Sequence, residues 1–306
     1  MEPLPSDMLI NDDDNKIVGH YSVKINDSYT MRIIFEIVSA VITAGVGVIK
    51  FEPEGISCVA ATGNMKVLVV STFKAKRLLH YEQSGFEVDS PIEAYLKFSD
   101  MVDILRSYAR KDIILMKAFY NSQGRVVDMS IYNDSNINSV DNIMPLASGV
   151  QEIYTNLYEE YYHDCSPTVN ITAHDFSQIV TKLKTRKCTK MEFEVVNDGV
   201  LIKGHQQDVV ITAYHILNNS EVTGVDEDMD IPYEPIKTGS VRLTVIKNNC
   251  VAVDLKDNIA WIFKISKACA NNSVINIYLR ESAPLVIGAT NGVMGESYYG
   301  FTHCDI

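Results

Sequence analysis

Residues 173–204 read AHDFSQIVTKLKTRKCTKMEFEVVNDGVLIKG, and the change of rhythm inside this stretch decides the fold. Phe176, Ile179, Val180 and Leu183 stand at positions i, i+3, i+4 and i+7, the spacing of a helix with a single apolar face. From Lys190 the pattern becomes strand-like on both sides of Asn197-Asp198-Gly199, a strong hairpin signal because these residue types tolerate the positive φ of a tight turn. A helix followed by a hairpin is a unit that buries its helical stripe on one face of a sheet.

The same order occurs three more times. TMRIIFEIVSAVITAG (30–45) places Ile33, Ile34, Ile37, Val38 and Val41 on one helical face and runs into VGVIKFEPEGISCVAAT (46–62), which turns at Pro53 to Gly55. FSDMVDILRSYA (98–109) leads into DIILMKAFYNSQGRVVDMSIYN (112–133), with a turn near Gln123 and Gly124. DNIAWIFKISKACA (257–270) leads into SVINIYLRESAPLVIGAT (273–290). A recurring unit of this kind predicts an α+β fold of two similar domains, each with its helices on one side of antiparallel sheets. The expected division is a flexible N-terminal extension over residues 1–20, an N-terminal domain over 21–146, a connector over 147–168 and a C-terminal domain over 169–306. The connector carries Val150, Ile153, Tyr154, Leu157 and Tyr158, which is unusual for a plain linker. It reads either as a short helix packed on its own domain or as an edge where partners dock.

Composition bounds the function. The chain has 306 residues, enough for two cores, and no apolar stretch long enough to span a bilayer. MEPLPSDMLINDDDNK at the start has neither a basic nor an apolar region of a signal peptide, so a soluble intracellular protein is expected. Cys58, Cys165, Cys188, Cys250, Cys269 and Cys304 are scattered without a CxxC pair, which predicts free buried thiols rather than disulfides or zinc. No P-loop, GxSxG or HExxH occurs, and His80, His174 and His205 have no ligand spacing. Asp226-Glu227-Asp228-Met229-Asp230 lacks the glycine and terminal glutamate of an EF-hand and reads as a solvated acidic loop. Neither catalysis, nor a metal, nor a cofactor is expected. The net charge of −12 argues against a globally basic nucleic-acid binder. Much of the acid, however, lies in segments that read as loops: Asp12 to Asp14, Glu159 with Glu160, and Glu221 to Asp230.

From the first helix onward the pattern resembles the proliferating cell nuclear antigen family of DNA sliding clamps. The matching stretches are EGISCVAATGNMKVLVVSTFKAKRLLHY ending at Tyr81, FSDMVDILR, DGVLIKG, FKISKA, APLVIG and MGESYY. They cover most of Tyr21 to Tyr299 in the right order, and the specificity lies in that collinearity. The resemblance implies a ring, by analogy a homotrimer, with helices lining the hole and sheets outside. The implied protein is a DNA polymerase processivity factor, placed on duplex DNA by a clamp loader and bound by replication and repair proteins through short peptide motifs. Thr62 stands where the family has Asp, and GFTHCDI replaces the family's Ala-Pro-Lys tail. These departures, with the N-terminal extension, mark a divergent member of the kind expected of a large DNA virus or an early-branching eukaryote. The implied location is the nucleus, or the viral replication site. Two alternatives stand beside this reading: a subunit of a heterotrimeric checkpoint clamp, and an enzyme of nucleotide metabolism on a repeated α+β scaffold.

If the helices line a channel, their exposed faces should be basic. Lys182, Lys184, Arg186 and Lys187 cluster at the end of the third helix, and Lys264 and Lys267 lie one turn apart on the fourth. Arg106 and Arg110 are one turn apart on the second, with Asp103 among them, and the first offers only Arg32 beside Glu36. One such residue is explained by a solvated helix face or the helix dipole; the set points to sequence-independent phosphate contact. By resemblance, the partner pocket takes Met65, Leu68, Ile153, Leu157, Pro284 and Tyr299. Two strands without Pro or Lys, Val126 to Tyr132 and Val209 to Tyr214, read as open edges, and by resemblance they occupy the positions that pair across the subunit boundary. Val127, Met129, Ile131, Val209, Ile211 and Ala213 are the expected interface residues.

Overall fold

The first helix begins at Ser28 because Asp27 caps it. The Asp27 carboxylate accepts the Thr30 N–H at 2.9 Å and the Thr30 hydroxyl at 2.6 Å. The third helix starts on a reciprocal cap: Thr172 Oγ1 accepts the Asp175 N–H at 3.1 Å and donates to the Asp175 carboxylate at 2.7 Å. The computed structural model describes residues 16–42, 46–62, 66–85, 91–134, 136–143, 169–196, 199–207, 209–217, 233–236, 240–241, 250–255, 258–269, 273–279 and 285–301.

In the first half β1 (Ile17–Ile25), α1 (Ser28–Val41), β2 (Val46–Glu52), β3 (Gly55–Ala61), β4 (Val67–Lys74) and β5 (His80–Gly85) are followed by β6 (Ile92–Lys97), α2 (Phe98–Arg106), β7 (Ile114–Asn121), β8 (Val126–Asn133) and β9 (Asn136–Ile143). In the second half β10 (Val169–Thr172), α3 (Ala173–Thr185), β11 (Lys190–Val196), β12 (Gly199–Gln206), β13 (Val209–Leu217) and β14 (Tyr233–Ile236) are followed by β15 (Ser240–Val241), β16 (Cys250–Asp254), α4 (Ile259–Ala268), β17 (Val274–Tyr278), β18 (Leu285–Asn291) and β19 (Gly295–Phe301).

The strands form three sheets, ordered β5-β1-β7-β8-β9, β15-β10-β17-β18-β19-β4-β3-β2-β6 and β14-β13-β12-β11-β16. Among these strands every pairing is antiparallel except β13 with β14. The fold is therefore α+β with mostly antiparallel sheets and few helices. Its order repeats: β5-β1-β7-β8-β9 has the arrangement of β15-β10-β17-β18-β19, and β4-β3-β2-β6 that of β13-β12-β11-β16. Among the described strands only β14 has no counterpart.

The halves join where β19 pairs with β4, from Gly295 opposite Phe73 to Phe301 opposite Val67. Gly295 permits that approach, since a Cβ there would lie 1.8 Å from the Thr72 carbonyl oxygen. Beneath the seam the hydroxyls of Ser71 and Ser297 are 2.6 Å apart, and Ser297 donates to Asn291 Oδ1. The Asn291 amide then donates to the carbonyls of Thr72 and Glu296 at 3.1 and 2.9 Å. A satisfied polar network inside an apolar core fixes one register, because a slip would strand its members without partners.

The helices lie side by side in the order α2, α1, α4, α3, and α1 rests on β2, β3, β4 and β18, across the seam. Trp261 of α4 stacks on Phe301 with ring centroids 5.5 Å apart, and its indole N–H donates to Asn258 Oδ1 at 3.0 Å. α3 lies close on β12 because of Gly204, where a Cβ would meet Leu183 Cδ2 at 2.3 Å. Tyr81 holds the β2–β3 turn through its hydroxyl, 2.6 and 2.8 Å from the carbonyl oxygens of Glu52 and Gly55, and burial pushes its pKa up. Cys58 and Cys188 are buried free thiols and Cys269 a half-buried one; for Cys269, burial pushes the pKa up to about 11. Among the described residues no helix is long and apolar enough to cross a membrane.

Two expectations change. β1 starts at Ile17, so the end of the stretch read as extension belongs to the first sheet. The strand holding Val127, Met129 and Ile131 is β8, which lies between β7 and β9 and is not an edge. Met129 and Ile131 are core residues, and Val127 is the extra residue where the β7–β8 register shifts. The sequence run was apolar enough for an interior strand; β9, more polar and less regular, is what ends the sheet. Residues 1–15, the connector 147–168, Met65, Ile153, Leu157, Pro284 and the acidic runs lie outside the described residues.

Candidate nucleic-acid interface

The exposed side of the helix row gathers positive charge. Residues 28–41, 98–110, 173–187 and 259–268 contain nine Lys and Arg against four Asp and Glu, in a chain whose net charge is −12. A chain of contacts carries those cations across all four helices. Glu36 of α1 is largely buried and receives Lys264 from α4 at 2.5 Å, Arg32 from its own helix at 3.8 Å and Arg106 from α2 at 3.9 Å. Three cations around one carboxylate leave an excess of positive charge and hold the helices in register. Arg106 also pairs with Asp103 at 2.7 Å. Arg106 and Lys264, expected as freely exposed phosphate ligands, therefore serve first as ties between helices, through a carboxylate 228 residues away from Lys264 in sequence.

Beyond Lys264 the strip continues through Phe263, whose ring has Lys267 at 4.5 Å on one helix and Lys184 at 5.8 Å on the next. Both distances suit cation–π attraction, which orients an ammonium group without neutralising it. Lys182 lies 5.5 Å from the Tyr214 ring and Arg110 4.6 Å from the Tyr29 ring. Arg186 donates to the carbonyl of Ile211 at 2.9 Å. No carboxylate among the described residues pairs with Lys184, Arg186, Lys187 or Lys267. These four, with Arg110, form the part of the expected set left available to an anion.

α3 ends on a lysine where glycine is usual. Lys187 has φ 54°, its N–H bonds Lys184 O at 3.0 Å, and the Cys188 N–H bonds Leu183 O at 3.0 Å. This is a Schellman end with a non-glycine residue in the left-handed position. Such a residue costs stability on the order of 1 kcal/mol relative to glycine. Lys187→Gly is expected to raise the unfolding free energy by about that amount while weakening duplex binding at low salt. Thermal denaturation and fluorescence anisotropy on the same preparation check both signs.

Of the six residues expected to form a partner pocket, Leu68 and Tyr299 are described, and they face opposite sides of the sheet. Tyr299 is wholly buried, facing Trp261 with ring centroids 6.1 Å apart, and the side chain on the outer face is its neighbour Tyr298. Leu68 is half-buried and outward, beside Gly300 and Ala61. Around it the outer face of the nine-stranded sheet carries a row of direct cross-strand neighbours: Tyr95, Val48, Val59, Val70 and Tyr298. Tyr278 and Val286 form a small cluster with Tyr298 at its end. The repeat makes this row informative. Matched at their turn glycines, Gly55 and Gly199, hairpins β2–β3 and β11–β12 set Val48 against Glu192 and Val59 against Lys203. On the third sheet those positions hold an ion pair at 3.4 Å, and Glu194 also pairs with Lys203. Burial alone would lower the Lys203 pKa; hydrogen bonds and charge from Glu194 and Glu192 hold it above its ordinary value. One backbone thus carries an apolar outer face in one place and a charged one in the other. Alternation alone would have revealed Val48 and Val59 as outward once the strand's inner face was known.

The edge expected at Val209, Ile211 and Ala213 is β13. Val209 is exposed, Ile211 is the extra residue of a bulge against β12, and Ala213 begins the part paired with β14. Compared with known families and with curated proteins, the chain matches no family model and no curated sequence.

Proposed function

We propose that this chain is a subunit of a DNA sliding clamp, a non-enzymatic ring of the proliferating-cell-nuclear-antigen type that encircles duplex DNA and tethers a polymerase to it. One observation supports this reading above the others. β19 and β4 pair within the chain, and their counterparts in the repeat, β9 and β13, end the other two sheets or nearly so. The same antiparallel pairing made between chains is a head-to-tail contact, which closes after a fixed number of copies. By resemblance that number is three.

The basic helix row then faces the hole. Flexible ammonium and guanidinium groups contact phosphates without reading bases, as a sliding ring requires. Retention on DNA comes from topology, so the acidic remainder of the surface is no obstacle. The apolar row through Val59, Val70 and Tyr298, with Leu68, is the docking face for peptide motifs of polymerase, loader and repair proteins. By resemblance, Met65, Ile153, Leu157 and Pro284 belong to the same docking face.

The test is topological. After incubation with a linear duplex whose ends are then blocked, the protein is expected to survive a high-salt wash that screens phosphate contacts. Opening one end should release it. Equal loss from blocked and open duplexes would reduce the interaction to ordinary electrostatic binding and sink the ring.

A further inference from the structure

We propose that β14, Tyr233–Ile236, is a removable guard on the assembly edge of β13, so that ring closure proceeds by exchange of an intramolecular strand for β9 of a second copy. The proposal rests on the ring reading above. It begins from the place where, among the described strands, the two halves differ in topology. The outer edge of β4 holds β19, antiparallel, over seven residue pairs from Val67 to Phe73. The outer edge of β13, its counterpart, holds β14 instead, parallel, over four pairs from Ala213 to Ile216.

The internal seam gives the register that a second copy would use. Val69 lies opposite Ala60 in one hairpin and Thr212 opposite Gly204 in the other, so Val69 corresponds to Thr212, Val70 to Ala213 and Ser71 to Tyr214. On the other side Tyr299 lies opposite Ile287 as Asp141 lies opposite Ile131, and the pair Tyr299–Val69 translates into Asp141 of β9 opposite Thr212 of β13. Val140 then falls opposite Ala213, the first residue under β14. The incoming strand and β14 require the same backbone groups.

The guard is built to leave. Parallel pairing is slightly weaker per residue than antiparallel, and a strand of four residues is near the lower end of lengths found. Its third residue is Pro235, opposite His215, which has no N–H for any ladder and has poor strand propensity. Val209 to Thr212 lie outside the β14 pairing, and Val209 is 64 % exposed. That segment offers β9 a place to start before it displaces β14. On the β9 side no strand among the described residues pairs with the outer edge. An edge covered until a better partner arrives also protects the free subunit from wrong strand pairing.

The experiment compares three proteins by sedimentation velocity over a concentration series, with hydrogen exchange read at Ala213–Ile216. They are the full chain, a variant with Tyr233→Gly, Glu234→Ser, Pro235→Gly and Ile236→Ser, and a Pro235→Val variant with a stronger guard strand. Removing the guard is expected to lower the concentration at half-assembly by about tenfold, because apparent affinity scales with the fraction of subunits whose edge is open. Pro235→Val should raise it. Equal midpoints, or weaker assembly when β14 is disrupted, overturn the guard while leaving the ring intact. Absence of assembly in all three, with Ala213–Ile216 exchanging freely in the disrupted variant, overturns guard and ring together.

Discussion

A proline in β9 is expected to turn the assembled protein into folded monomers. Successive residues of a strand direct their N–H groups to opposite sides, so of Val140→Pro and Asp141→Pro one removes a donor facing outward and the other a donor facing β8. The outward one should leave the subunit intact, since proline is tolerated on an edge whose N–H faces solvent. It should cost each subunit contact about 3 kcal/mol, more than a hundredfold in its dissociation constant. Light scattering at micromolar concentration, with circular dichroism to confirm the sheet, checks it. Met129→Pro makes the contrast. Met129 is fully buried on β8 between two partner strands, so the same substitution removes an internal ladder bond and a core side chain. That loss, of order 5 kcal/mol, approaches the stability of an ordinary domain, and unfolded protein is expected. Oligomers that persist unchanged in both β9 variants would move the interface to another edge.

Reversing the available cations is expected to abolish the salt-sensitive part of DNA binding without unfolding the chain. Lys184, Arg186, Lys187 and Lys267 changed to Glu replace exposed or partly exposed charges, each within about 0.5 kcal/mol of neutral for stability. Each phosphate contact removed should lower the slope of log affinity against log salt by about 0.9. Anisotropy with a short linear duplex over a salt series gives that slope. The companion change Lys264→Glu should behave differently, because it places a second carboxylate beside the half-buried Glu36 and loosens the junction of α1 with α4. Its signature is a lowered melting temperature, whereas the four-residue variant should melt near the parent. A four-residue variant that binds duplex with an unchanged slope would remove the helix row from contact with phosphate.

What depends on near neighbours is legible in the residues alone. Period and turn chemistry located four helices and the hairpins after them: Phe176, Ile179, Val180 and Leu183 are all buried, and β11 and β12 pair antiparallel from Lys190 opposite His205 to Val196 opposite Gly199. The basic end of α3 was legible for the same reason, since residues three and four apart share a face. What depends on distant pairing was decided only in the tertiary structure. Two adjacent tyrosines, Tyr298 and Tyr299, cannot both face the core, and which one does follows from the β19–β4 register between residues more than two hundred positions apart. Lys264 reads as a solvated lysine until α4 is laid beside α1 and Glu36 meets it. Whether an apolar strand is an edge or an interior strand is a property of its neighbours, which is why β8 reads as open in sequence and is interior in the sheet. Local periodicity says that a strand has two sides; only the assembled sheet says what lies against each of them.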